Sequence, residues 1–124
     1  SHLYDMHGNP VHNPFPSRSV LPVDIDGDGL HELVCQNGED RGKVIDRHCR
    51  DLGRVDGKPS ACGKVLDLPG EQIITWSQAG RILVYALGDA TDNDAAKRRY
   101  KHPFYDACMR LWAVGYNWRN LGGL

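Results

Sequence analysis

The sequence predicts an all-β chain: a partial β-propeller of two to three four-stranded blades, with one short helix near residues 94–100. Three observations carry that expectation. Apolar runs are short, as in "HELVC", "QIITW" and "RILVYA", and lack a 3.6-residue pattern. Gly- and Asp-rich turns separate them. Similar pieces also recur at one spacing: Asp5 and Asp46 lie 41 positions apart, Asp24 and Asp67 lie 43, and Glu32 and Glu71 lie 39. Four short strands in a period of about 40–45 residues are the mark of a propeller blade, whereas helical solenoids of that period need amphipathic helices.

The elements follow in order. "LYDMHGNPV" (Leu3–Val11) and "VIDRHCRDLGRV" (Val44–Val55) each run from apolar residues through Asp and a turn to a second apolar position, which reads as a hairpin. "ILVYALGD" (Ile82–Asp89) opens in the same way. Between these lie "VDIDGDGLHELVCQNG" and "LDLPGEQIITWSQAG", each with an Asp, a Gly, an acid, an apolar run and a closing Gly. The expected blade repeats are therefore 3–43 and 44–88, followed by a closing segment, 89–124. In that segment Asp92 or Asn93 caps a short helix through "DAAKRRY", Pro103 ends it, and "MRLWAVGYNW" reads as a strand. A closed propeller takes about 4–8 blades. The expectation is a piece of a longer chain, completed by the remaining blades or by self-association; the start at Ser1 without methionine fits a processed precursor.

The 124 residues suit one domain, and 15 basic against 16 acidic residues leave no basic excess for nucleic acid. No apolar run is long enough to span a membrane. The 4 cysteines show no C-x-x-C spacing, so a structural zinc site is not expected. Cys49 and Cys62, flanking "RDLGRVDGKPSA", are the pair a disulfide would join; four buried or free thiols are the alternative.

The segment "DIDGDGLHE" places Asp24, Asp26 and Asp28 at alternate positions with Gly27 and Gly29 between or after them. Calcium takes about 6–8 oxygens from carboxylates and carbonyls on a tightly turning backbone. Asp24, Asp26, Asp28, the Leu30 carbonyl and Glu32 would supply five; an empty Asp/Gly turn is the alternative. An EF-hand needs its bidentate acid at the twelfth position, which here is Cys35, and a helix where "HELVCQN" reads as strand. The ion expected is structural. The second copy, "LDLPGEQ", keeps Asp67 and Glu71 and is not expected to bind an ion.

Lys97, Arg98, Arg99 and Lys101, with His102, form the one basic concentration. It reads either as a solvated helix face or as a cradle for an acidic polysaccharide, with aromatics such as Tyr105 as core residues or as stacking surfaces. Neither a Ser-His-Asp order nor a P-loop is present.

"DIDGDGLHELV", "DLPGEQIITWSQAGRILVY" and "RYKHPFYDACMRLWAVGYN" together resemble the propeller of rhamnogalacturonan lyases of polysaccharide lyase family 11; the aspartate loop also resembles FG-GAP (integrin α-type) repeats. The terminal match lies on His102, Tyr105, Gly115, Tyr116 and Asn117, after which "WRNLGGL" departs from the family's proline-rich ending. The resemblance implies bound Ca2+, a secreted (extracellular or periplasmic) protein and β-elimination at a uronate. It also implies Arg98, Arg99 or Lys101 beside the carboxylate and His102 or Tyr105 as base. The FG-GAP likeness implies instead a non-catalytic interaction module.

Overall fold

Residues 3–12 and 19–113 are described by the structure, a computed structural model, and among them nine strands precede two helices. Strands β1 (Leu3–Tyr4) and β2 (Pro10–Val11) form a hairpin. Strands β3 (Val20–Val23), β4 (Glu32–Cys35), β5 (Lys43–Ile45) and β6 (Asp51–Arg54) make a four-stranded antiparallel meander in chain order. Strands β7 (Lys58–Gly63), β8 (Gln72–Trp76) and β9 (Ile82–Tyr85) make a three-stranded one. Helices α1 (Asp94–Tyr100) and α2 (Pro103–Ala113) follow. The described residues are thus mostly β, with the two larger sheets beside the β1–β2 hairpin and no closed barrel among them.

Side-chain alternation decides which faces meet. Leu21 and Val23 of β3, Val34 of β4, Val44 of β5, Cys62 of β7 and Ile73 of β8 point into one shared core, with β3 lying against β7. Pro22 and Pro59 both sit in edge strands, where a missing N–H removes no internal ladder bond. The outer face of the second sheet stays apolar and open: Trp76, Ile82 and Val84 are all exposed.

The two sheets repeat each other in register. Val34 pairs with Val44 in the first, and Ile74 with Val84 in the second, each forty positions on. Leu21 with Val34 and Ala61 with Ile74 repeat at the same offset, as do Val23 with Glu32 and Gly63 with Gln72. The first corner (24–31) and the second (64–71) therefore have equal length. This corrects the sequence alignment. Asp24 corresponds to Lys64 and not to Asp67; Glu32 corresponds to Gln72 and not to Glu71. Asp67 is exposed, whereas Asp24 is fully buried. In the second unit the place of β6 falls on 91–94, where the chain turns into α1 instead.

The hairpins β1–β2 and β5–β6 share one turn. The Asp5 carboxylate accepts the N–H groups of His7 and Asn9, as the Asp46 carboxylate accepts those of His48 and Arg50. Both carboxyls are held below their usual range. At Asp5 the Asn9 side-chain bond contributes most; at Asp46 burial opposes the shift, and the Arg50 and His48 bonds outweigh it. The left-handed position of this turn is Gly8 in one hairpin, with φ 83°, and Cys49 in the other, with φ 62°.

A Cys49–Cys62 disulfide does not form, because Cys62 points into the core while Cys49 sits in the β5–β6 turn. Two expectations change here. The expected terminal strand is helical as far as Ala113, and residues 114–118 lie outside the described residues. Pro103 does not end a helix but opens α2, where its fixed φ suits the first turn. Tyr105, Met109 and Trp112 then fall on one helical face; Tyr105 is buried and Trp112 packs on the core, while Asp106 and Arg110 pair outside at 2.9 Å. The helix expected near 94–100 is present, capped by the Asn93 side chain on the Ala96 N–H.

A non-glycine residue in the left-handed region costs about 1–2 kcal/mol, offset in part by the greater chain entropy of glycine. Cys49→Gly is expected to stabilise the protein by about 0.5–1 kcal/mol in urea melts, and Gly8→Ala to destabilise it by a similar amount. A destabilised Cys49→Gly would contradict the turn equivalence.

Candidate metal centre and interlocked corners

Asp24 follows β3 directly and is fully buried. Its Oδ1 accepts the Gly27 N–H at 3.0 Å; its Oδ2 accepts the Gly29 N–H at 3.1 Å and Arg99 Nη1 at 2.8 Å. A carboxylate has about four lone-pair sites, so one remains on Oδ1. Further along, the Asp26 carboxylate accepts the Asp28 N–H and the Asp28 carboxylate accepts the Leu30 N–H. Each of these two aspartates accepts through Oδ1, which leaves Oδ2 for another partner.

The backbone carbonyls of the first corner turn the other way, into the rest of the molecule. Asp24 O accepts from Glu71 N at 2.7 Å, Asp26 O from Thr91 N at 3.0 Å and Gly27 O from Asn93 N at 2.9 Å. Asp28 O takes the Asn93 side-chain amide, and Gly29 O takes Arg99 Nη2. Glu71 closes the link in both directions, since its Oε2 accepts the Asp24 N–H at 2.9 Å. The Tyr105 hydroxyl donates to Glu71 Oε1 at 2.8 Å, and the Tyr105 hydroxyl oxygen accepts the Lys64 N–H at 2.9 Å. A side chain at Gly70 would drive into the Ile25 carbonyl, 2.2 Å from an added Cβ. The two corners touch backbone to backbone there.

These placements sort the expected site residues. Asp24, Asp26 and Asp28 do come together, each offering an oxygen within 4.8 Å of the others, so the cluster could hold a metal ion. Leu30 and Glu32 stand outside that group. They line a cleft of about 120 Å³ with Asp26, Asp28, His31 and His48. Glu32 is buried, and its Oε2 accepts the Ile25 N–H at 3.1 Å. The donor set suits a divalent cation: Asp26 and Asp28 retain free oxygens, Asp24 retains one lone pair, and Glu32 is a buried charge with no cationic partner among the described residues.

Electrostatics point the same way. Burial pushes the Glu32 carboxyl up to about 7; the Ile25 N–H opposes this, and the charges of Asp26, Asp28 and Asp24 add to it. Burial likewise pushes Asp24 up to about 6 against the pull of Arg99. Arg99 is ion-paired with Asp24, and Arg50, which lines the cleft with Arg47, is ion-paired with Asp46. The clustered carboxylates of Asp26, Asp28 and Glu32 have no ion pair among the described residues, so a further cation would relieve their repulsion.

Of the five residues expected at a ligand surface, Arg99 and Tyr105 are buried and committed to the corners through Asp24, Gly29 and Glu71. Arg98, Lys101 and His102 are exposed. Arg98 and His102, with Arg99, Ala95 and Gly29, line an open groove of about 350 Å³. Gly115, Tyr116 and Asn117 lie outside the described residues. Sequence reasoning missed Lys64 and Glu71 as a clasp, and gave Asp92 and Asn93 only as candidate helix caps, not as partners of the corners. An ungapped alignment of "ELVC" on "QIIT" would have placed Lys64 opposite Asp24.

Arg99→Met leaves a buried carboxylate without its cation and is expected to cost about 3–5 kcal/mol in denaturant melts. The pH dependence without divalent cation has a definite sign. A carboxyl whose folded pKa is raised binds its proton more tightly when folded, so stability rises as pH falls from 7 towards 4.5. Glu32→Gln should flatten that rise and, above neutrality with chelator present, stabilise by about 1–3 kcal/mol. A chelated wild-type protein that weakens over this interval would contradict the uncompensated charge. Comparison of the chain with family models, curated proteins and solved structures returns no significant match.

Proposed function

We propose that this chain is a calcium-stabilised segment of a β-propeller in a secreted carbohydrate-active protein of the rhamnogalacturonan-lyase type. Its own part is to bind an acidic polysaccharide. The observation that carries the propeller reading is the forty-residue register shared by the two sheets, down to a matching corner bond: Glu32 accepts the Ile25 N–H, and Gln72 accepts the Val65 N–H. The open apolar face at Trp76, Ile82 and Val84 supports a neighbouring blade, or a second copy, against the second sheet. Calcium belongs at the first corner, where it would draw Asp26, Asp28 and the buried Glu32 into one shell. The polysaccharide belongs in the groove beside Arg98 and His102, with Lys101 exposed nearby.

Elimination at a uronate needs a positive group on the carboxylate and a base for the α-proton. Arg98 suits the first task. His102 does not suit the second in this arrangement. Its Nδ1 accepts the Phe104 N–H at 3.2 Å, so in the neutral ring the proton sits on Nε2, which then donates. Tyr105 is buried with its hydroxyl given to Glu71. That favours binding over catalysis within this segment. It also supports a second reading, a non-catalytic FG-GAP-like interaction module whose calcium stiffens the blades.

A thermal melt tests the ion: calcium at about 100 times its Kd should stabilise by about 2.7 kcal/mol, and chelator should reverse this. Binding to rhamnogalacturonan is expected to weaken about tenfold in Arg98→Gln, with no rise in near-ultraviolet absorbance from unsaturated uronate. An absorbance rise with this chain alone would make it catalytic, and absence of binding to any uronic-acid polymer would select the interaction module.

A further inference from the structure

The second corner has the backbone of the first and the opposite chemistry. At the four positions matching Asp24, Asp26, Asp28 and Glu32 stand Lys64, Leu66, Leu68 and Gln72. Every carboxylate of the first set is gone, and a lysine has taken the leading place. Its ammonium does not point to solvent. Lys64 Nζ donates to the Leu68 carbonyl, to the Gly70 carbonyl at 3.2 Å and to Asp92 Oδ2 at 2.9 Å. The Tyr100 ring covers it at 4.6 Å from the centroid.

We propose that the Lys64 ammonium is the resident cation of the second corner, and that removing it leaves a site for a small monovalent cation. An ammonium has three donors and here meets three oxygens, with an aromatic face closing a further side. Two carbonyls and one carboxylate are also the kind of oxygens that potassium or ammonium binds, with water completing the larger shell of potassium. The corner thereby carries its own cation and needs none from solution. The ion also joins separate parts of the chain. Lys64 opens the corner directly after β7, residues 68 and 70 lie near its far end, and Asp92 comes from the segment leading into α1. The second oxygen of Asp92 holds the Gly70 N–H at 2.7 Å. Lys64 and Asp92 are 21% and 17% exposed, so the pair is screened far less than a surface salt bridge.

This inference rests on the corner equivalence proposed above and not on an ion in the first corner. The test uses the full chain with Lys64→Ala. Its melting midpoint should fall by several degrees and be partly restored by ammonium or potassium, but not by tetramethylammonium at equal ionic strength. Wild type should respond alike to all three. Lys64→Met, which keeps the stem without the charge, should fall as far as Lys64→Ala; a wild-type midpoint in Lys64→Met, or equal rescue by every cation, would overturn the proposal. Should Lys64→Ala fail to fold, nitrogen NMR of the native lysine ammonium groups decides. One ammonium with slowly exchanging protons and a ring-shifted resonance is expected, and uniform exchange across all lysines would overturn the proposal. A missing calcium response alongside these results would strike the first-corner ion alone, and a calcium response without them would strike this inference alone.

Discussion

The buried carboxylate of Asp24 is the constraint from which the rest follows. A charge with no exposed surface is tolerated only if it is paired and hydrogen-bonded. Asp24 meets that demand with two N–H groups from its own corner and the guanidinium of Arg99, which lies 75 residues further on. Meeting it fixes the corner's backbone, and a fixed corner presents its carbonyls in a row towards the rest of the molecule. The second corner, the segment at 91–93 and Arg99 itself then bind that row. Sheet, sheet and helix are joined at one polar knot, while the apolar core of Leu21, Val23, Val34 and Ile73 lies between the sheets.

Two copies of one backbone have taken different routes to the same end. In each, the residue that opens the second strand reaches back to the corner's second N–H: Glu32 to Ile25, and Gln72 to Val65. Glutamine does this without charge, and glutamate does it at the expense of burying one. The first corner therefore accumulates negative charge that a cation would relieve, whereas the second is balanced internally by Lys64 and Asp92. Burial raises the Asp92 carboxyl, but the Lys64 ammonium and the Gly70 N–H hold it below its usual range. A shared fold with unshared charge is what separates a place for an ion from a place that holds its own.

Much of the fold could be read from the chain because its signals are local. The hairpins at Asp5 and Asp46, the strand after Glu32, the Asn93 cap and the near-forty period all depend on neighbours in sequence. What could not be read depends on contacts across the molecule. Asp67 and Glu71 look like heirs of Asp24 and Glu32 because residue type is visible and strand register is not. Glu71 instead serves the opposite corner, where it takes the Asp24 N–H. Arg99 looked like a surface residue, and Tyr105 was open between core and surface, since nothing in a basic, aromatic run reveals a buried acid waiting for it. The α2 helix was missed for a simpler reason: aromatics raise strand propensity, but Tyr105, Met109 and Trp112 fall at helical spacing and Pro103 starts a helix as readily as it ends one.

The account stands or falls on the two corners being one cooperative unit. Native-state hydrogen exchange measures this directly at the reciprocal pair, the Asp24 N–H bound to Glu71 and the Glu71 N–H bound to Asp24. The account predicts that both amides exchange with the same opening free energy, equal to that of the core strands β4 and β8. Exchange of the Glu71 amide at a much lower free energy than the Asp24 amide, with β4 still protected, would mean that the corners open separately, and would contradict it.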